Sequence, residues 1–273
     1  MEAIEKKEKK VALVTGATGG IGAAVTKHLV QRGYTVIACA RNAERLSILR
    51  EAAPRHVLPV QMDVCDSQSM WLQYLVDCFA FYKDAGLESS RIDALVCCHG
   101  ASPVSKPTIS LSMAGDVIPV LMTDIGGTFL AAQATASYMI RQGGGSMVFV
   151  SSLHAHQTYP ARVPYAAAKA AVCAMARSMA LEWGPHGIRV NTVLPWQVDG
   201  GRTTRIAHAT EQETGVDVIE HYKRRSPLRA LIQEDDVAKS VLFLLENGSA
   251  NGMEMILDGG VSASMWYQPY LGG

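Results

Sequence analysis

The chain has 273 residues, 48% of them apolar, and its 25 basic residues balance 25 acidic ones. That is enough apolar material for a large core, while zero net charge gives no electrostatic case for nucleic acid or an anionic membrane as partner. The six cysteines, at 39, 65, 78, 97, 98 and 173, form no C-x-x-C pair, which predicts no disulfide framework, no metal site and a reducing, cytoplasmic setting.

Residues 1–10, "MEAIEKKEKK", carry charge with no apolar segment behind it. They read as a flexible extension rather than a secretory signal, and residues 11–273 as one domain. The apolar runs further on are too short to span a bilayer. Seven β-rich runs follow: "VALVT" (11–15), "TVIACA" (35–40), "VLPVQMDV" (57–64), "IDALVCC" (92–98), "SMVFVS" (146–151), "IRVNTVL" (188–194) and "MEMILD" (253–258). Most are separated by segments with helical spacing. "AAVTKHLVQRG" is closed by Gly33, and "DDVAKSVLFLLENG" is opened by Asp235 and closed by Gly248. Strands alternating with helices predict an α/β, doubly wound parallel sheet of about seven strands, with helices on both faces. The connection 196–233 shows no strand pattern, and its length marks it as a substrate lid.

Between the first strand and first helix, "VALVTGATGGIG" places Gly16, Gly20 and Gly22. Glycines there permit a tight turn, close backbone approach to a pyrophosphate and an open helix N-terminus. At the end of the second strand an acidic residue would favour NAD. Ala40-Arg41-Asn42 stands there instead, and a guanidinium suits the 2′-phosphate of NADP. Asp63 can accept from the adenine amino group or cap a turn.

Tyr165 and Lys169, four apart in "YAAAK" and just after Pro164, share one face of a predicted helix. A nearby ammonium favours the phenolate, so the tyrosine can exchange a proton with an alcohol or ketone as hydride leaves or arrives. Ser152 lies where the fifth strand ends, and can hydrogen-bond the reacting oxygen.

"TGATGGIG", Ser152, "YAAAK", "IRVNTVLP" and the terminal "LDGG" together resemble the short-chain dehydrogenase/reductase family over roughly residues 10 to 260. The resemblance implies a single Rossmann-type domain in tetramers or dimers. Tyr165 would be the acid/base, Lys169 would hold the nicotinamide ribose, and Ser152 would orient substrate. Thr18 and Ile21 would join the glycines at the dinucleotide. Val64, Cys98 and Gly100 would line it further along, and Pro195 and Val198 would meet the nicotinamide end with Tyr165 and Lys169. The chain departs from the family at Cys97-Cys98-His99-Gly100, where Asn-Asn-Ala-Gly is usual. Asp124 replaces the asparagine that holds a water in the proton relay. Trp196 follows Pro195 where glycine is usual, and Gly200 stands for a threonine whose part Thr203 or Thr204 can take.

The serine-to-tyrosine run is also similar to that of the family's bacterial glucose 1-dehydrogenases, which makes His154 and Tyr159 candidate sugar contacts. His156 reads as surface. Trp196 is a candidate wall of the substrate pocket. Arg162, Arg202 and Arg205 can read an anionic group or remain solvated. The tail "SMWYQPYLGG" offers aromatics to a neighbouring subunit. The reading that follows is an NADP(H)-preferring oxidoreductase acting on a small polar substrate, a sugar or polyol ahead of others. A ketone or 3-oxoacyl thioester reductase stands beside it. So does a dinucleotide-binding sensor or scaffold that has lost the reaction.

Overall fold

The computed structural model describes residues 10–83 and 91–263. In chain order its strands and helices begin with β1 (Val11–Thr15), α1 (Gly20–Gln31), β2 (Thr35–Ala40), α2 (Ala43–Ala52), β3 (Val57–Gln61), α3 (Gln68–Lys83) and β4 (Ala94–Cys97). Then come α4 (Ile118–Leu121), α5 (Gly127–Gln142), β5 (Gly145–Val150), α6 (Val163–Trp183) and β6 (Ile188–Pro195). The chain closes through β7 (Val198–Asp199), α7 (Gly201–Thr214), α8 (Val218–Arg225), β8 (Ile232–Gln233), α9 (Glu234–Glu246) and β9 (Glu254–Leu257).

All seven expected runs pair in one parallel sheet, in the order β3-β2-β1-β4-β5-β6-β9. The register sets Val11 opposite Thr35 and Ala12 opposite Ala94. Side chains alternate across each strand, so β1 feeds two cores. Val11 and Leu13 join Trp71, Phe149 and Met139 under α3, α5 and α6. Ala12 and Val14 join Val25, Leu29 and Val241 under α1, α2 and α9. Both faces are thus buried, which is why the strands read as continuous apolar runs.

Several boundaries differ from expectation. β3 stops at Gln61 because Asp63 builds a turn, its Oδ1 accepting from the Cys65 N–H at 3.0 Å. Gly33 has φ +82 and ends α1 as expected. Helix α9 opens one residue before Asp235, with Gln233 as its cap and three carboxylates in its first turn, where they complement the helix dipole. Asp235 instead pairs with His28 at 2.5 Å. The stop comes at Asn247, whose N–H bonds the Phe243 carbonyl, rather than at Gly248. The connection 196–233 does contain strand: β7 and β8 pair in parallel beside α7 and α8.

Wide turns at 113–117 and 122–126 run on through α4 into α5, and this continuous helical stretch, 113–142, has the length and hydropathy of a membrane span. Apolar runs alone did not show it, because Asp, Gly and Thr interrupt the alanines and larger apolar residues that give it that hydropathy. One face of it packs on the sheet through Ala131, Ala132 and Met139. Residues 1–9 and the aromatic tail 264–273 lie outside the described residues. Lys10 is already tied to the fold, its carbonyl accepting from Thr35 N–H at 2.9 Å.

Candidate active site

The sheet order reverses between β1 and β4, and open α/β sheets place ligands beyond the carboxyl ends of their strands at such a point. Gly16 follows β1 with φ +64, and a Cβ there would sit 2.7 Å from the backbone nitrogen of His99, just after β4. A Cβ on Gly22 would collide with the Gly16 carbonyl. Helix α1 then starts with no side-chain cap and no acidic residue in its first turn. Its first N–H groups therefore stay available for an anion. These features fit the pyrophosphate of a dinucleotide. The Glu234 carboxylate lies against Gly20 and Gly200 in the same cradle, and burial together with Asp199 pushes its pKa up.

Thr18, Gly20, Ile21 and Gly22 line one end of a cleft of about 290 Å³, with Cys98, Pro195 and Val198 along it. Arg41, Asp63, Val64, Gly100 and Asp124 are not part of that lining. Arg41 is 81% exposed and lies 3.8 Å from the Asp63 carboxylate. Arg45, one helical turn later and not singled out by sequence, does line the cleft. Of the two expected threonines Thr203 lines it, whereas the Thr204 hydroxyl bonds the Gly200 carbonyl at 3.2 Å.

The other end gathers Ser152, His154, Tyr159, Tyr165, Lys169 and Trp196. Ser152 leaves β5 buried and in extended backbone, its hydroxyl in long contact with the Pro195 carbonyl at 3.5 Å. Pro164 in the first turn of α6 presents Tyr165, and the four-residue spacing sets the Lys169 ammonium 5.6 Å from the phenol's ring centroid. Lys169 is 4% exposed and donates to Asp124 Oδ1 at 3.1 Å and to the Val150 carbonyl at 3.2 Å. Asp124 is 1% exposed, and its second oxygen has no partner among the described residues. Burial works against the Lys169 charge, but Asp124 and Tyr165 outweigh it and the ammonium's pKa stands above its ordinary value.

His99 was legible only as a departure from the family motif. Its Nδ1 meets Thr15 Oγ1 at 2.6 Å and its Nε2 meets Thr128 Oγ1 at 3.3 Å. It thus ties β1 and α5 to the β4 loop. A Cβ on Gly127 would come within 3.0 Å of that ring, so the glycine makes the room. Burial and Lys169 lower the His99 pKa to about 4. His154 bonds Thr158 and His156 bonds Glu254. Among the described residues no group of three or more His, Cys, Asp or Glu side chains could hold a metal. Tyr222, also unforeseen, stacks edge-on to Trp196 at 5.9 Å.

Comparison with known proteins agrees with this geometry. The model of the short chain dehydrogenase family matches residues 10–213. D-threitol dehydrogenase of Mycolicibacterium smegmatis is 32% identical over 259 residues, 92% of this chain and 92% of that protein. Carbonyl reductase [NADPH] 2 of Sus scrofa is 32% identical over 257 residues, covering 93% and 96%. The crystal structure of levodione reductase superposes with a TM-score of 0.85 at 26% identity, covering 94% of this chain and 99% of that one. The cleft, the glycine turn and these matches lead to one conclusion: the chain belongs to the short-chain dehydrogenase/reductase family of nicotinamide-dependent oxidoreductases.

Proposed function

We propose that the chain is an NADP(H)-preferring dehydrogenase/reductase of a small polar carbinol or carbonyl compound, with polyols and sugars ahead of other substrates. The observation that carries this reading is the meeting of Ser152, Tyr165 and Lys169 in the cleft that the glycine turn opens. Bound nicotinamide would supply or accept hydride. The glycine turn and α1 would hold its pyrophosphate, and Arg41 with Arg45 would meet the 2′-phosphate.

The protein's own part is proton transfer. Tyr165 would take the proton of a carbinol, or give one to a carbonyl, and Ser152 would hold that oxygen beside it. Lys169 places positive charge near the phenol. In this chain Asp124 fixes that ammonium directly, by a buried ion pair, in place of the asparagine usual in the family. His154, pushed down to about 4 by burial and by Arg162, is neutral at pH 7, and with Nδ1 on Thr158 it keeps Nε2 for a substrate hydroxyl. Tyr159 offers a ring face to sugar C–H groups. The two-strand, two-helix insertion 196–233 would cover the substrate.

D-threitol dehydrogenase as a relative supports a polyol. Carbonyl reductase at the same 32% identity supports reduction of a ketone as the second reading. The outward faces of the helices predict a homo-oligomer, dimer or tetramer. Ile118, Met122, Phe129 and Ile140 form one exposed stripe, beside Val163 and Leu181 on α6. The test is a screen of polyols, sugars and ketones with oxidised and reduced NADP and NAD, followed by nicotinamide absorbance. Turnover of one class with NADP(H) supports the proposal; no turnover with any of them contradicts it.

A further inference from the structure

Building on the proposed reaction, we infer that the substrate carries an oxyanion, a carboxylate or phosphate at the end of a polyol chain, and that Arg162 receives it. Arg162 is 9% exposed and lines the cleft. A buried guanidinium ordinarily has an acidic partner, because desolvating an unpaired charge is costly. Here none is present: among the described residues it has no ion pair, and its one side-chain hydrogen bond goes to the Ala161 carbonyl at 3.3 Å. Four of its five N–H groups are thus left over.

The surroundings are neutral. The guanidinium lies over the Tyr159 ring at 5.2 Å, and that ring meets His154 at 4.7 Å. His154 in turn meets the Tyr165 ring at 5.5 Å. Tyr222, its phenol kept protonated by burial and by Tyr159, closes the side. No carboxylate stands in this group to compete for the cation. The chain of ring contacts also links Arg162, through Tyr159 and His154, to Tyr165 at the proton-transfer centre. On this inference the anion sits at the far end of the polyol from the reacting carbon. Ala161, the residue before it, adopts φ +63, a left-handed conformation that alanine rarely takes. That turn delivers Arg162 inward at the start of α6 rather than to solvent. The planar fork suits bidentate pairing with a carboxylate or phosphate.

Pairing the full chain and oxidised NADP with glucitol, gluconate and glucitol 6-phosphate tests this in wild type, Arg162→Gln and Arg162→Lys. In wild type one anion should exceed glucitol in kcat/KM by about tenfold or more, chiefly through KM. Arg162→Gln should cut that advantage by about tenfold, and Arg162→Lys should restore part of it. The anion that leads tells carboxylate from phosphate. Thermal-shift titration needs no turnover: the same anion should raise the wild-type Tm and lose that effect in Arg162→Gln. Turnover retained in Tyr165→Phe would sink the proposed reaction while leaving the anion result standing. Glucitol binding as well as both anions, or Arg162→Gln weakening glucitol and anion alike, would overturn the inference.

Discussion

At the dinucleotide end of the cleft the wall is largely backbone: Gly16 in a left-handed turn, Gly22 against its carbonyl, and the uncapped start of α1. At the substrate end the wall is side chains brought from separate segments. His154, Tyr159 and Arg162 come from the loop before α6, Trp196 from the end of β6, and Tyr222 from α8. Backbone walls follow from strand–turn–helix order and suit a ligand part shared by a whole family. Side-chain walls can change residue by residue without disturbing the sheet, as at Trp196, which stands where the family usually has glycine. Lys169 joins the two ends, anchored to Asp124 and to the Val150 carbonyl.

The largest effect comes from breaking that joint. Lys169→Met leaves Asp124 a buried, unpaired carboxylate, which costs about 3–5 kcal/mol of stability, and it lowers kcat by about 10²–10⁴. Adding Asp124→Asn should recover most of the lost Tm and none of the rate, separating the structural part of the pair from the chemical one. At the dinucleotide end, Arg41→Asp should lower the ratio of NADP to NAD kcat/KM by about tenfold, with a further drop on adding Arg45→Gln. An unchanged ratio would remove the arginines from cofactor choice.

A smaller change sharpens the account of Lys169. Its pKa is raised in the folded protein because Asp124 and Tyr165 outweigh burial. A base raised on folding adds stability below its unfolded pKa and loses it as pH rises through the folded value. The ion pair therefore holds at neutral pH and fails only in the alkaline range. Asp124→Asn removes the largest of the influences that raise it, so burial gains ground and the ammonium gives up its proton earlier. The alkaline edge of the kcat/KM profile should move down by about one pH unit. An edge that stays in place would show that Lys169's charge does not set it.

The same contrast governs how much could be read in advance. All seven sheet strands were legible because each carries a short β-rich run, and the central ones, such as β1 and β4, are buried on both faces and almost wholly apolar. Gly16, Gly33, Tyr165 and Lys169 were legible because their partners are close in sequence or fixed by helix spacing. β7 and β8 were not, since two-residue strands carry no periodic pattern. The two hydroxyls that hold His99, from Thr15 and Thr128, lie 84 and 29 residues away, a relation no local window contains. Arg162 was legible only as one of three arginines that could read an anion or stay solvated; its burial rests on contacts with Tyr159 and Ala161 that no periodic pattern marks. The 113–142 stretch hid its apolar face because only its helical register, not a run, lines those residues up.

The most direct measurement is single-turnover formation of reduced nicotinamide by wild type and Tyr165→Phe, using the best substrate from the screen. If the phenol transfers the proton, Tyr165→Phe should slow this step by about 10²–10⁴ while its Tm stays within a few degrees of wild type. A Tyr165→Phe protein that reduces the nicotinamide at the wild-type rate would contradict the account.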